Sequence, residues 1–188
     1  MINLRWVAIT LGSLLWLGLL GCSAVTTLPH HLDLARGYAF DLPLGWTEIT
    51  VREAAPGVVE VWRDPIDRTA NLSLIINPVP ETTANITELG TATEVGYRFF
   101  QERQAQLQAS QPDTLLEFLG AAAQQPGLVT YYTLEYALIQ PDAPTRHNLA
   151  RAVIRHHQLF TFNLSLPERR WQQMPEQWRA IVGSFQVF

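Results

Sequence analysis

The sequence predicts an α+β domain with helices packed on an antiparallel sheet. Three observations point there. Runs of period-2 alternation fall into two groups, one before and one after a long amphipathic stretch at residues 91–109. The connections within each group are tight, which favours antiparallel neighbours. Helical stretches are separated by several strands at a time, the pattern of α+β rather than of alternating α/β units. A hydrophobic content of 47% with 16% charged residues is that of a globular chain, and it is enough for one domain with its own core.

Each element has a local reason. Residues 37–43 alternate as a short strand, and Leu44-Gly45-Trp46 reads as a turn that folds an aromatic back onto the core. Residues 47–52 and 58–63 read as two strands joined through Ala55-Pro56-Gly57. Asp64-Pro65-Ile66-Asp67 is a turn, since proline suits its second position and aspartate binds nearby backbone N–H groups. Residues 71–79 alternate, with Leu72, Leu74 and Ile76 on one face, until Pro78 and Pro80 stop the strand. Thr91 and Glu94 are spaced as a capping box opening the 91–109 helix, with Ala92, Val95, Phe99 and Leu107 near one face. The spacing predicts a strand over 115–122. On the next strand Thr130, Tyr132, Leu134, Tyr136 and Leu138 line one side, and a loop follows at 140–145. Residues 147–156 and 159–166 form a hairpin across His157-Gln158, with Phe160, Phe162, Leu164 and Leu166 inward. Pro175 opens a last helix with Trp178, Ile181 and Val182 on its apolar face, and residues 185–188 form a strand-like tail.

The N-terminus has the layout of a secretory leader. Arg5 is an early positive charge, and from Trp6 to Pro29 no residue carries a formal charge. The run closes on Leu19-Leu20-Gly21-Cys22, which resembles the lipobox of bacterial lipoproteins. In that arrangement the thiol of Cys22 is acylated, the cysteine becomes the new N-terminus, and the acyl chains hold the protein on a membrane face. The chain then divides into a leader at 1–21, a lipidated flexible tether at 22–36 and a single domain at 37–188. Two other readings stay open here: an uncut apolar anchor, and a soluble secreted form in which Cys22 is an ordinary thiol. With Cys22 acylated, no thiol remains for a disulfide, and the fold holds by packing alone.

Charge and motif content narrow the function. The net charge is −4, and loss of Arg5 with the leader makes it more negative, which argues against nucleic acid as a partner. All 13 basic residues are arginine, the side chain suited to bidentate pairing with carboxylates. The sequence has no Gly-x-Ser-x-Gly elbow, no His-Glu-x-x-His, no glycine-rich phosphate loop and no cysteine pair. The chain is therefore read as a non-enzymatic protein. His30-His31 with Asp33, and Arg155-His156-His157, are candidate metal ligands, although neighbours on a strand point to opposite faces.

A set of ordered pieces resembles the PsbP family, the extrinsic proteins of photosystem II, and within it the cyanobacterial lipoprotein branch, CyanoP. Gly37-Tyr38-x-Phe40 with Pro43 and Gly45-Trp46 comes first. Asp67-x-Thr69-x-Asn71-Leu72-Ser73-Leu74-Ile75-Ile76 with Pro78-Val79 follows, and then Ile86-Thr87-Glu88-Leu89-Gly90 with Thr93-Glu94-Val95-Gly96-Tyr97-Arg98. Tyr131-Tyr132-x-Leu134-Glu135, Arg146-His147-x-Leu149, Arg170-Trp171 and Ser184-Phe185 complete the set. The resemblance implies an α/β/α sandwich around a central antiparallel sheet, lipid-anchored through Cys22 on the lumenal side of the thylakoid membrane. It implies a monomer that binds photosystem II lumenal subunits during assembly, repair or stabilisation of the oxygen-evolving complex. A general envelope lipoprotein binding another partner or a divalent metal is the alternative. Plant relatives help retain calcium and chloride, partly through a lysine-rich surface; this chain has no lysine, so that role is not carried over. No cofactor is assigned outright. The resemblance places a divalent-metal pair (zinc, manganese or calcium) on His147 and Glu168, where glutamate stands in place of the family's aspartate.

Overall fold

The computed structural model describes residues 28–51 and 55–188, so Cys22, the leader and Arg52 lie outside the described residues. The strands are β1 (His30–Asp33), β2 (Tyr38–Asp41), β3 (Thr47–Glu48), β4 (Val58–Arg63), β5 (Asn71–Pro78), β6 (Leu115–Gln124), β7 (Tyr131–Gln140), β8 (Ala143–Arg155), β9 (Gln158–Pro167) and β10 (Gln186–Val187). The helices are α1 (Ala92–Ser110), α2 (Glu168–Gln173) and α3 (Pro175–Gly183), and a 3-10 turn covers Ile86–Leu89. Seven strands form one antiparallel sheet in the order β3-β4-β5-β9-β8-β7-β6, and β1-β2-β10 form a small second sheet.

A core packs on each face of the large sheet. On β9, Phe160, Phe162, Leu164 and Leu166 point to one side and join Leu72, Leu74, Leu149, Val153, Trp178 and Ile181 in the larger core. The small sheet closes this side too, with the Phe40 ring 4.6 Å from that of Phe162. On the other face Tyr132, Ala152 and Ile154 meet Ile86 and Ala92. The expected layers are present: α1 on one face, α2 and α3 on the other, with the small sheet beside α2 and α3. Strand β1 falls within the stretch read as a tether.

The capping box at α1 forms as expected. Glu94 N–H donates to Thr91 Oγ1 at 3.3 Å, and Thr91 N–H donates to Glu94 Oε2 at 2.8 Å. The buried positions of this helix are Ala92, Gly96 and Leu107, whereas Phe99 remains 37% exposed. Gly96 sets the close approach. A Cβ there would lie 3.0 Å from Leu134 Cδ2 and from the Phe118 ring, so the helix settles over β6 and β7 because this position has no side chain.

Other differences from the sequence reading are local. The strand expected over 47–52 shrinks to Thr47–Glu48, an exposed edge pairing with Arg63 and Trp62. The loop expected at 140–145 is a tight turn at Pro141-Asp142, and β8 starts at Ala143. Pro144 is tolerated because β9 pairs with β8 only from Arg146 onward, so its missing N–H breaks no bond with that strand. Helix α2 was not expected; six residues are too few to show a helical period.

The β8–β9 hairpin turns at His156-His157, one residue earlier than predicted, since Arg155 pairs with Gln158. Both histidines have positive φ, 50° and 57°. This two-residue turn matches the twist of the strands but favours Asn and Gly over histidine. Replacing the pair by Asn-Gly is therefore expected to stabilise the domain by about 1 kcal/mol. A urea titration checks this: the midpoint rises with an unchanged slope, and an unchanged or lower midpoint contradicts it.

Candidate functional site

His147 lies on β8 facing α2 and α3, and its side chain is 5% exposed. Its Nδ1 is 2.9 Å from Glu168 Oε2, at the first residue of α2. Its Nε2 is 2.9 Å from Glu135 Oε1 on β7. The imidazole stacks on Trp171 with ring centroids 3.8 Å apart and planes at 9°. Arg179 of α3 closes the group: its Nη1 and Nη2 donate to the two oxygens of Glu135 at 2.7 and 2.8 Å, and its guanidinium lies 5.1 Å over the Trp171 ring. Strand register makes this possible. Ala137 pairs with His147 and Glu135 with Leu149, so Glu135 and His147 share the face that α2 and α3 cover.

The structure thus brings His147 and Glu168 together, as the resemblance implied, and adds Glu135 and Arg179. Glu135 carries no site role in the sequence reading, because the alternation on β7 describes only the side of Tyr132, Leu134 and Tyr136. Tyr131 and Ala137, both buried on the opposite side, were the available signal.

As arranged, these residues do not fit a resident metal. The carboxylates meet opposite ring nitrogens, so an ion at Nδ1 gains Glu168 but not Glu135, and closed protein sites use more ligands than that pair. Among the described residues, no group of three or more His, Cys, Asp and Glu side chains could hold a metal ion. His30 pairs with Asp41 at 2.8 Å, His31 with Glu60 at 3.1 Å and Asp33 with Arg36 at 2.7 Å, so these three point to separate partners. His156 and His157 form the exposed hairpin turn.

Glu60 is a second buried carboxylate, 7% exposed. It accepts from the Tyr38 hydroxyl and from Trp62 Nε1 at 3.0 Å. Burial first, then the Glu60 charge and hydrogen bond, push the Tyr38 hydroxyl well above the ordinary phenol range.

A third cluster ties α2 to the β4–β5 turn. Arg170 Nη2 pairs with Asp64 at 2.5 Å and Nη1 approaches Asp67 at 3.6 Å, while its guanidinium sits 5.8 Å from the Trp46 ring and 5.4 Å from the Trp178 ring. Asp64 Oδ1 accepts from the N–H groups of Ile66 and Asp67, which makes the turn read from the sequence. Burial pushes the Asp64 carboxyl up, but those N–H groups and Arg170 outweigh it and hold it below its usual value.

The PsbP family profile matches residues 26–187. The chain belongs to the PsbP family. It is 39% identical over 168 residues to CyanoP of Synechocystis sp., covering 89% of this chain and 87% of the relative. It is 34% identical over 172 residues to CyanoP of Thermosynechococcus vestitus, covering 89% and 90%. The solution structure of cyanobacterial PsbP from Synechocystis sp. superposes with a TM-score of 0.73 at 39% identity, covering 92% of this chain and 99% of that one. The PsbP-like pieces in the sequence coincide with the ties above: Asp67 and Thr69 with Arg170-Trp171, Glu135 with His147, and Tyr132, whose hydroxyl donates to Gly90 O at 2.6 Å.

Around Glu135, burial raises the carboxyl, but the hydrogen bonds and charge of Arg179, with His147, outweigh it and leave the group below its ordinary value of 4.5. A carboxyl so held contributes stability that is present above its ordinary value and is lost as pH falls toward the folded-state value. The urea midpoints of wild type and Glu135→Gln are expected to lie furthest apart at about pH 6 and to converge at about pH 3. A gap that does not narrow with acid contradicts the assignment.

Proposed function

We propose that this protein is a lipid-anchored accessory factor on the lumenal side of the thylakoid membrane. It docks on photosystem II subunits during assembly, repair or stabilisation of the oxygen-evolving complex, and it acts as a monomer by contact rather than turnover. The observation that carries this reading is membership of the PsbP family, with 39% identity to a cyanobacterial CyanoP over 168 residues. PsbP proteins are associated with photosystem II, and the proposal extends that association to this chain.

Two features support the finer reading. Leu19-Leu20-Gly21-Cys22 offers a thiol for acylation directly after a small residue. Among the described residues no helix is long and apolar enough to cross a membrane, so acyl chains on Cys22 would supply an attachment that those residues do not provide as a helix. Confinement to a membrane face raises the effective concentration of the domain near membrane partners, and surface arginines suit reversible pairing with acidic protein faces.

The test is recovery from native membranes. Tagged protein in mild detergent at low salt is expected to bring down photosystem II subunits, and mass spectrometry is expected to find acyl chains on Cys22. Cys22→Ser is expected to move the protein from the thylakoid fraction to the soluble fraction and to reduce that recovery. An unacylated protein in the cytosol, or recovery of no photosystem II subunit, overturns the proposal. Location in another membrane favours a general envelope lipoprotein instead.

A further inference from the structure

Helix α1 leaves part of the sheet unroofed. It settles over β6 and β7 through Gly96 and is pinned there by Gln104, whose Oε1 accepts from Leu116 N–H at 2.9 Å. The same face of β8, β9 and β5 lies beside the helix rather than under it. Between them runs a groove of about 620 Å³, floored mainly by Ile75, Leu134, Ala150 and Leu159, with Thr161 and Asn163 of β9 among them, and walled by Phe99. This explains why Phe99 stays 37% exposed although it lies on the apolar stripe of the helix.

One rim of the groove is positive. Arg98 and Arg103 line it with a single acid, Glu102. Arg98 bonds the Leu89 carbonyl, and Arg103 Nη1 bonds Gln106 Oε1 at 3.3 Å. Among the described ion pairs neither arginine meets a carboxylate. Tyr136 lines the groove together with Arg103, and its ring lies 5.5 Å from that of Phe99. A positive rim over an apolar floor stands out in a chain of net charge −4.

We propose that this groove binds a small amphiphile that has one apolar chain and one acidic head, with the chain along β9 and β5 and the head at Arg103 beside Tyr136. The volume falls within the range of small-molecule pockets, and the lining has their usual make-up of an apolar body with a few polar groups. Arginine matches a carboxylate head in geometry as well as charge. A protein segment is a poorer match, because β5, β9 and β8 are interior strands with neighbours on both sides and offer no free edge for an added strand. The site is separate from the His147 cluster, which lies on the opposite face of the sheet, and the inference does not depend on the photosystem II reading.

The experiment is calorimetric titration of the purified protein with sodium dodecanoate and with dodecylammonium chloride, each below its micelle concentration. Dodecanoate is expected to bind at one site per chain, and at least about tenfold more tightly than dodecylammonium. Arg103→Gln, an exposed change that leaves the core intact, is expected to weaken dodecanoate by about tenfold. Thr161→Phe, which fills the floor with a residue suited to a strand, is expected to abolish binding while the urea midpoint stays near that of wild type. Equal affinity for the two amphiphiles, or dodecanoate binding that neither variant changes, overturns the proposal. Absence of dodecanoate binding overturns it as well; if Arg103→Gln then weakens capture of a protein partner from membranes, the groove belongs to an acidic protein segment.

Discussion

Both cores of this domain are built on one hairpin. Strands β8 and β9 sit in the middle of the seven-stranded sheet and contribute to a core on each side: Phe160, Phe162 and Val153 under α3 and the small sheet, Ala152 and Ile154 toward the 3-10 turn and the start of α1. A strand that feeds a different core on each face cannot slip by one residue, because a slip exchanges the two sets of side chains between layers of different shape. The hairpin therefore fixes the height of α1, α2 and α3 relative to one another. It must do so without a disulfide among the described residues, since the only cysteine is Cys22.

The polar groups work within that frame as ties between layers. Arg170 links α2 to the β4–β5 turn, the His147 cluster links β7 and β8 to α2 and α3, and Tyr132 reaches the Gly90 carbonyl ahead of α1. Each tie sits partly exposed or at the border of a core, where charge-assisted bonds add geometric definition without full desolvation. The pieces by which the sequence resembles PsbP are largely these ties, so the resemblance reports how the layers are fastened, and the PsbP profile spans all of them.

Much of the architecture was legible because the relevant signals are local. The Thr91–Glu94 cap, the alternation of β5 and β9 and the Asp64 turn each need only a few neighbouring residues to be read, and each formed. What escaped depends on distant parts of the chain. Glu135 gains its role only when α2 and α3 cover its side of the sheet and bring His147 and Arg179 to it. Phe99 looked like core, but the position of α1 is set by the missing side chain at Gly96, and that shift turns Phe99 into a wall. The His156-His157 turn was read one residue late, because histidine gives no hint that the backbone will enter the left-handed region twice in succession. His147 and Glu168 are named by the family resemblance, and the β8–β9 hairpin joins them, since His147 pairs with Leu166 two residues before Glu168.

The pairing of β1 with β2 bears on how the protein would meet a bilayer. His30 is already anchored opposite Asp41, so the leash between a lipid on Cys22 and the first fastened residue is about eight residues long and reaches no more than about 28 Å. Strand β1 lies on the flank that carries the small sheet, α2 and α3, so with Cys22 acylated that flank would ride nearest the lipid. Helix α1 and the ground beside it, on the opposite face of the sheet, would then be held away from the lipid.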